Sequence, residues 1–437
     1  MGYAHFWFFR TLSNPSAIPG YAGQTYRNGQ DNLNDASLLH HRSFVLFWLS
    51  RVATTIAIQM QAVAVGWQIY DLTSRPLDLG LVGLAQFIPS FLLVLVSGQI
   101  ADRHDRRRVI QLGQSVEAVA VTILLVSTAA KAISPTVIFA SVFLTGVGRA
   151  FEQPTQQALV PTIIPPELFP RAVAATGSAT KLATIMGPAF GGLLYLVSPL
   201  SVYVACGALF ISALLLMLWV RSERPPAARE KVTLAVVFAG FAFIRRNPII
   251  LGAISLDLFA VLFGGATALL PIFARDIFAV GPLGLGLLRA APAIGALAMS
   301  FVLAVFPLRR RVGRMMYYAV TVFGIVTVVF ALSRSLPLSI LALIVLGAAD
   351  MVSIVIRQTL VQIETPDAMR GRVSAVNAMF VGTSNQLGDF ESGLTAAWFG
   401  TVPSVLIGGI ATILVVLVWN RLFPELFYVQ TFERKRN

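Results

Sequence analysis

Twelve apolar runs, each about long enough to cross a bilayer as a helix, follow one another along the chain with short polar breaks between them. They lie at roughly 44–70, 79–101, 109–130, 135–157, 170–197, 199–220, 249–274, 283–306, 315–332, 337–360, 373–397 and 402–422. A helix rises 1.5 Å per residue, so ~20 apolar residues span the ~30 Å hydrocarbon layer. Only 12% of the 437 residues are charged, about half the share that a water-facing surface carries. The expected fold class is therefore an all-α membrane protein with twelve transmembrane helices. An even number of spans puts both termini on one side.

The basic residues say which side. Of 33 Lys and Arg, 24 fall on the side holding the termini and the even loops. Only Arg75, Lys131, Arg275 and Arg334 fall on the other, while Arg51, Arg149, Lys181, Arg289 and Arg357 lie within spans. Cytoplasmic loops carry the excess of Lys and Arg, so both termini are expected in the cytoplasm. The net charge of +13 then reads as a topology signal, and no nucleic-acid partner is expected. The single cysteine, Cys206, excludes a disulfide framework. His5, His40, His41 and His104 all lie outside the spans, so no metal site is expected in the membrane. Residues 1–42 are polar and irregular, without the apolar core of a signal peptide. They are expected to be a disordered cytoplasmic tail or the product of an early start codon.

The chain also repeats itself. A shift of 201 residues places Gly146 on Gly347, Gln157 on Gln358, Pro165 on Pro366, Arg171 on Arg372, Gly187 on Gly388 and Gly192 on Gly393. Five segments follow: a tail (1–42), a six-helix bundle (43–220), a linker with an amphipathic segment (221–248), a second six-helix bundle (249–423) and a tail (424–437). Two parallel six-span halves with a site between them near the midplane is a transporter architecture.

Between the second and third spans the chain reads SGQIADRHDRRR, a dense cluster of charge in an apolar sequence. It resembles the signature cytoplasmic loop of the major facilitator superfamily, Gly-x-x-x-Asp-Arg/Lys-x-Gly-Arg/Lys-Arg/Lys, with Gly98, Asp102, Arg103, Arg106 and Arg107 in place. Asp105 stands where the superfamily usually has Gly. Asp tolerates left-handed backbone better than most residues, so the turn is expected to survive. The resemblance implies that the Asp102 carboxylate latches the halves together against the start of the eleventh span, where helix amides favour an anion. In the fifth span, AATGSATKLATIMGPAFGG resembles the glycine motif of superfamily antiporters that export, with Gly187, Pro188, Gly191 and Gly192 matching and Ala174 and Ala183 in place of two glycines. SFVLFWLSR (43–51), AVGWQIYDLTSRPLDLGLVGLAQFIP (64–89) and TPDAMRGRVSA (365–375) are similar to bacterial exporters of the enterobactin-exporter branch. That likeness runs from residue 43 to 422.

A charge inside a bilayer costs roughly 2.5–3.5 kcal/mol even on lenient scales, so each one needs a role. The resemblance implies that spans one, four, seven and ten line the cavity. They supply Arg51, Gln59, Gln61, Arg149, Gln153 and Arg357 as substrate-cavity candidates, and Glu152, Asp257 and Asp350 as proton-coupling candidates; Asp389 and Glu391 of the eleventh span are further coupling candidates. Asp257 has no charged neighbour in sequence, and a carboxyl buried alone is driven toward its neutral form, which suits proton carriage. The 201-residue shift sets Arg149 opposite Asp350, which are expected to face one cavity within reach of pairing. Glu152 is expected to pair with Arg149, three residues before it on one helix face. Glu117, in a peripheral span, reads as structural.

These features predict a monomeric, multi-pass transporter in a bacterial inner membrane, exporting a small amphiphile such as a siderophore or drug in exchange for protons. No cofactor is expected: no phosphate loop is present, so the proton gradient is the expected energy source. A lysophospholipid flippase and a transport-inactive sensor are the alternatives. A membrane-embedded enzyme would need a polar constellation that the spans lack.

Overall fold

The protein, as a computed structural model, is described over residues 38–221 and 234–432, the side chains at 94, 95, 98, 99, 101, 102, 234–237 and 368 excepted. The expectations for 1–37, for most of the linker, for 433–437 and for the Asp102 latch lie outside the described residues. Twelve long helices carry the fold. The first half holds α1 (Arg42–Thr73), α2 (Pro76–Arg103), α3 (Arg106–Ala129), α4 (Pro135–Ile163), α5 (Phe169–Tyr195) and α6 (Pro199–Leu218). The second holds α7 (Pro248–Ile277), α8 (Gly281–Val305), α9 (Val312–Leu332), α10 (Leu336–Glu364), α11 (Arg370–Phe399) and α12 (Thr401–Leu422). A helix over Leu234–Arg246 precedes α7. Among the described residues nine of the twelve are long and apolar enough to span a membrane on composition alone. The exceptions, α4, α5 and α11, are those in which polar residues interrupt the apolar stretch.

Local chemistry sets where the helices begin. Pro76, Pro135, Pro199 and Pro248 occupy the first turn of α2, α4, α6 and α7, where an amide N–H would have no partner. Ser134, Ser198 and Asn247 cap α4, α6 and α7. The seventh span is not the continuous helix that 249–274 suggested. Regular helix stops at Phe263, and 3-10 and π turns carry the chain to Ile277. At Gly264 a Cβ would lie 2.3 Å from the Phe323 ring, so only glycine admits that close approach.

Lipid is the solvent of this surface. On α3, Leu112, Val119 and Val126 form an exposed stripe seven residues apart, while Gln114 and Glu117 on the opposite side are fully buried. An exposed apolar stripe and a polar interior are the reverse of what water selects.

The repeat reappears as packing. In the first half α4 lies against α2 and α3, and α1 against α5 and α6; in the second, α10 lies against α8 and α9, and α7 against α11 and α12. The halves meet through α5 on α8 and α11 on α2. Repeated glycines set those contacts. A Cβ at Gly192 would lie 2.6 Å from the Pro282 carbonyl oxygen, and one at Gly393 would lie 2.7 Å from Gly80 Cα. Both crossings sit at the face opposite the termini, the far face. There Tyr70 donates a hydrogen bond to Asp276, and Arg275 bonds the Tyr70 carbonyl at 3.1 Å and lies 3.5 Å from Asp71. In this state the far face is closed.

At the terminal face, the signature loop works within the first half. Arg106 Nη1 donates to the Ala158 carbonyl of α4 at 2.8 Å, and Arg107 Nη1 to the Val220 carbonyl just past α6, also at 2.8 Å. Arg103 is exposed at the end of α2. Asp105 is not left-handed, contrary to expectation. Its φ is −58° and it caps α3, accepting from the Arg107 amide at 3.0 Å and from its guanidinium at 2.7 Å. Those Arg107 hydrogen bonds hold its carboxyl below the usual range. A depressed native pKa gives stability that is present above the unfolded value, about 3.9, and lost as pH falls through the folded value. Asp105→Ala is expected to cost about 1 kcal/mol, read as a lower thermal midpoint at pH 7, and the difference from the parent should shrink in acid.

Candidate functional site

A cavity of about 230 Å³ lies between the halves. Polar side chains converge on it from both. Gln59 and Gln61 come from α1, Gln86 from α2, Thr145 and Arg149 from α4, Arg289 from α8, and Gln386 and Asp389 from α11; Ile58, Val65, Leu79, Val82 and Val142 supply apolar wall. Gln61 donates to Thr145 Oγ1 at 3.2 Å, which ties α1 to α4, and Asp389 accepts from Thr267 Oγ1 at 3.2 Å. Among the described residues Asp389 is the only carboxylate in this lining, which also carries the guanidiniums of Arg149 and Arg289. The site can therefore hold oxygen acceptors on Arg149, Arg289 and the glutamine amides, and hydrogen-bond donors on Asp389.

The glycine motif of α5 forms the wall behind α1. A Cβ at Gly187 would lie 2.5 Å from Gln59 Cβ, and one at Gly191 would lie 2.9 Å from Met60 Cα. The backbone of α5 can therefore press Gln59 toward the cavity. The Pro188 carbonyl meets α8, where a Cβ on Gly286 would lie 2.4 Å from it.

The structure brings together Gln59, Gln61, Arg149 and Asp389, and it separates the other candidates. The lining comes from α1, α2, α4, α7, α8 and α11, so the expected set of spans one, four, seven and ten is corrected: α10 contributes nothing to it. Arg149 and Asp350 do not pair. Asp350 instead borders a smaller void inside the second half, with Asp257 and Ser353. The shift preserved helix register, but each half packs around its own interior.

Asp257 is not the lone acid that its sequence context suggested. Its Oδ2 lies 3.2 Å from Arg357 Nε, its Oδ1 accepts from Ser353 Oγ at 3.0 Å, and Arg357 donates to Asn377 Oδ1 at 2.8 Å. The partner is a hundred residues away in sequence, beyond any local pattern. The pair pins α7, α10 and α11 together and leaves Arg357 out of the cavity. Asp257→Asn strands a buried guanidinium, and breaking a buried pair costs about 3–5 kcal/mol. A large drop in thermal midpoint is expected, with recovery when Arg357→Met is added.

Glu152 is likewise not paired with Arg149. Its Oε1 accepts from Gln114 at 3.0 Å and Gln156 at 2.8 Å. Arg51 is half-buried on α1, Gln153 is exposed on α4, and Glu391 is half-buried on α11; none of the three is in the lining. Gln86, Thr145, Arg289 and Gln386 are the polar lining positions that sequence reasoning missed. Arg289 carried a usable signal, as a cation inside an apolar span, but α8 lies outside the four spans that the resemblance assigns to the cavity.

The chain and its fold have known counterparts. Residues 35–428 match the family of transmembrane secretion effectors. The enterobactin exporter EntS of Citrobacter koseri is 25% identical over 406 residues, covering 91% of this chain and 96% of its own. EntS of Salmonella typhimurium is also 25% identical over 406 residues, with 91% and 97% covered. A bacterial homologue of the human lysosomal transporter Spinster, solved inward-facing and unoccupied, has a TM-score of 0.68 at 16% identity over 89% of this chain and 96% of that one. A bacterial homologue of the iron transporter ferroportin, in an inward-facing state, has a TM-score of 0.67 at 16% identity over 90% and 100%. At those identities the solved structures speak for the fold alone. The family match spans all twelve helices and both halves, so the chain belongs to the transmembrane secretion effectors, a family of major facilitator superfamily transporters.

Proposed function

We propose that this protein is a proton-coupled exporter of a small amphiphile, such as a siderophore or drug, working by alternating access in a bacterial inner membrane with both termini in the cytoplasm. The observation that carries the reading is the inter-half cavity, sealed at the far face, whose lining holds two guanidiniums and a single carboxylate. With the basic, terminal face cytoplasmic, the state described here is inward-facing. The Spinster and ferroportin homologues were solved in states of that name. The EntS relatives favour outward movement of solute.

Coupling follows from competition. Ionised Asp389 accepts donors from the solute while Arg149 and Arg289 hold its oxygens. A proton taken up by Asp389 from the outer side removes that acceptor, and the solute leaves. Sites for small molecules run to ~300–1,000 Å³, so a siderophore-sized solute requires the halves to part beyond the present 230 Å³. The proton gradient is the energy source, no cofactor takes part, and the monomer is the working unit. The test is uptake into inverted membrane vesicles of a panel of siderophores and drugs, with and without a proton gradient. Gradient-dependent uptake of at least one compound is expected; no uptake of any, with the gradient making no difference, overturns the proposal.

A further inference from the structure

One buried acidic pair lies outside the cavity lining. Glu117 and Glu152 each follow a glycine by four residues, Gly113 on α3 and Gly148 on α4, and the two Gly-x-x-x-Glu segments interlock across antiparallel helices. A Cβ on Gly148 would lie 2.7 Å from Glu117 Cγ; one on Gly113 would lie 3.3 Å from Glu152 Cβ and 2.9 Å from the Gly148 carbonyl oxygen. The bare glycines let the helices cross so closely that both glutamates turn into one interior. Glu117 is 0% exposed and Glu152 3%, and their carboxyls face each other.

The surroundings do not neutralise two charges. Gln114 and Gln156 both donate to Glu152 Oε1. Among the described residues neither Glu117 oxygen has a hydrogen-bond donor in reach apart from the facing acid. Arg51 of α1 and Arg149 of α4 act on the pair through space, and neither forms an ion pair with it among the described residues. Ser50 of α1 only receives the Gln114 amide, and α6 brings no charge. Two ionised carboxylates in contact, away from water, repel strongly and lose their hydration. One proton between them removes the repulsion and supplies the donor that Glu117 lacks.

We propose that Glu117 and Glu152 form a proton-binding site, one acid donating its O–H to the other's carboxylate. Release of that proton to water leaves two negative charges facing Arg149, a cavity residue one helical turn from Glu152. Occupancy of the pair therefore sets how strongly Arg149 is drawn away from the solute. The pair titrates as a unit, and it binds its proton because of its packing, whether or not transport is proton-driven.

The experiment is infrared spectroscopy of the full-length protein in lipid nanodiscs at neutral pH, in H2O and D2O. It compares the parent with the double variant Glu117→Gln/Glu152→Gln and with Asp389→Asn, with thermal midpoints recorded to establish that each is folded. A lone buried acid can keep the proton by itself, so both members of the pair are removed together. The double variant is expected to lose one deuterium-sensitive protonated-carboxyl band and the carboxylate bands of one acid, and Asp389→Asn is expected to keep that protonated band. If the double variant instead loses carboxylate intensity alone, both acids are ionised and the site does not exist; loss of two protonated bands means that each acid holds its own proton and none is shared. No transport assay enters this result, so it stands or falls separately from the exporter reading.

Discussion

Asp389→Asn is expected to abolish gradient-driven accumulation of solute while leaving solute binding measurable. Asparagine keeps the shape and the acceptor oxygen toward Thr267, but it cannot take up a proton. A proton moving through ~100 mV supplies about 2.3 kcal/mol, enough for a roughly fiftyfold concentration ratio per proton at 1.4 kcal/mol per tenfold. Inverted vesicles carrying the parent are expected to build a gradient of that order, and those carrying the variant are expected only to equilibrate solute across the membrane. Binding is expected to persist because Arg149, Arg289, Gln59 and Gln386 all remain in the lining. Full accumulation by the variant, measured at equal expression, would remove Asp389 from the coupling step.

Gly192→Val is expected to bias the protein away from the closed far face. A Cβ there falls 2.6 Å from the Pro282 carbonyl oxygen and 3.1 Å from Leu283 Cα. Both are backbone atoms, which cannot swing aside as a side chain tip would. Overpacking costs about 1–3 kcal/mol, which displaces a two-state equilibrium ~5–150-fold at 1.4 kcal/mol per tenfold. The strain is absent once α5 and α8 separate, so the far-open state gains by that factor and turnover falls. Gly393→Val is expected to act in the same sense through α2, since its Cβ would meet Gly80. A cysteine placed at Ser74 is exposed on the far face and serves as a control that must stay reactive in all forms. The diagnostic is far-face distance measured in each variant by spin labelling.

The parts of this molecule legible in its sequence are those set by local chemistry. Helix starts follow from prolines with Ser or Asn before them, and the fold class from runs of apolar residues longer than any soluble core requires. The two halves were visible in a repeat whose glycines, Gly192 and Gly393, turn out to hold the closed interface from opposite sides. The site was legible only in part. Gln59, Gln61, Arg149 and Asp389 were recognisable as polar residues in apolar spans, but which of them share a cavity depends on how helices far apart in the chain rotate against one another. Asp257 and Arg357 illustrate the limit: the first looked solitary and the second was read as a cavity residue, and together they form a structural ion pair. Asp105 shows the converse, a residue read as a tolerated substitution in a turn that in fact caps α3.

The central claim is that the two halves rock about the cavity, opening one face as the other closes. Two distance pairs test it in the same preparation, since the one native cysteine, Cys206, is buried. Arg75 and Arg334 are exposed on the far face, and His104 and Arg310 on the terminal face; each pair takes one label in each half. Paired spin labels at these positions, read by pulsed dipolar spectroscopy in nanodiscs between acid and neutral pH, are expected to show one distance lengthening as the other shortens. Distances that stay fixed, or change in the same direction, under conditions where vesicles transport solute would contradict the account.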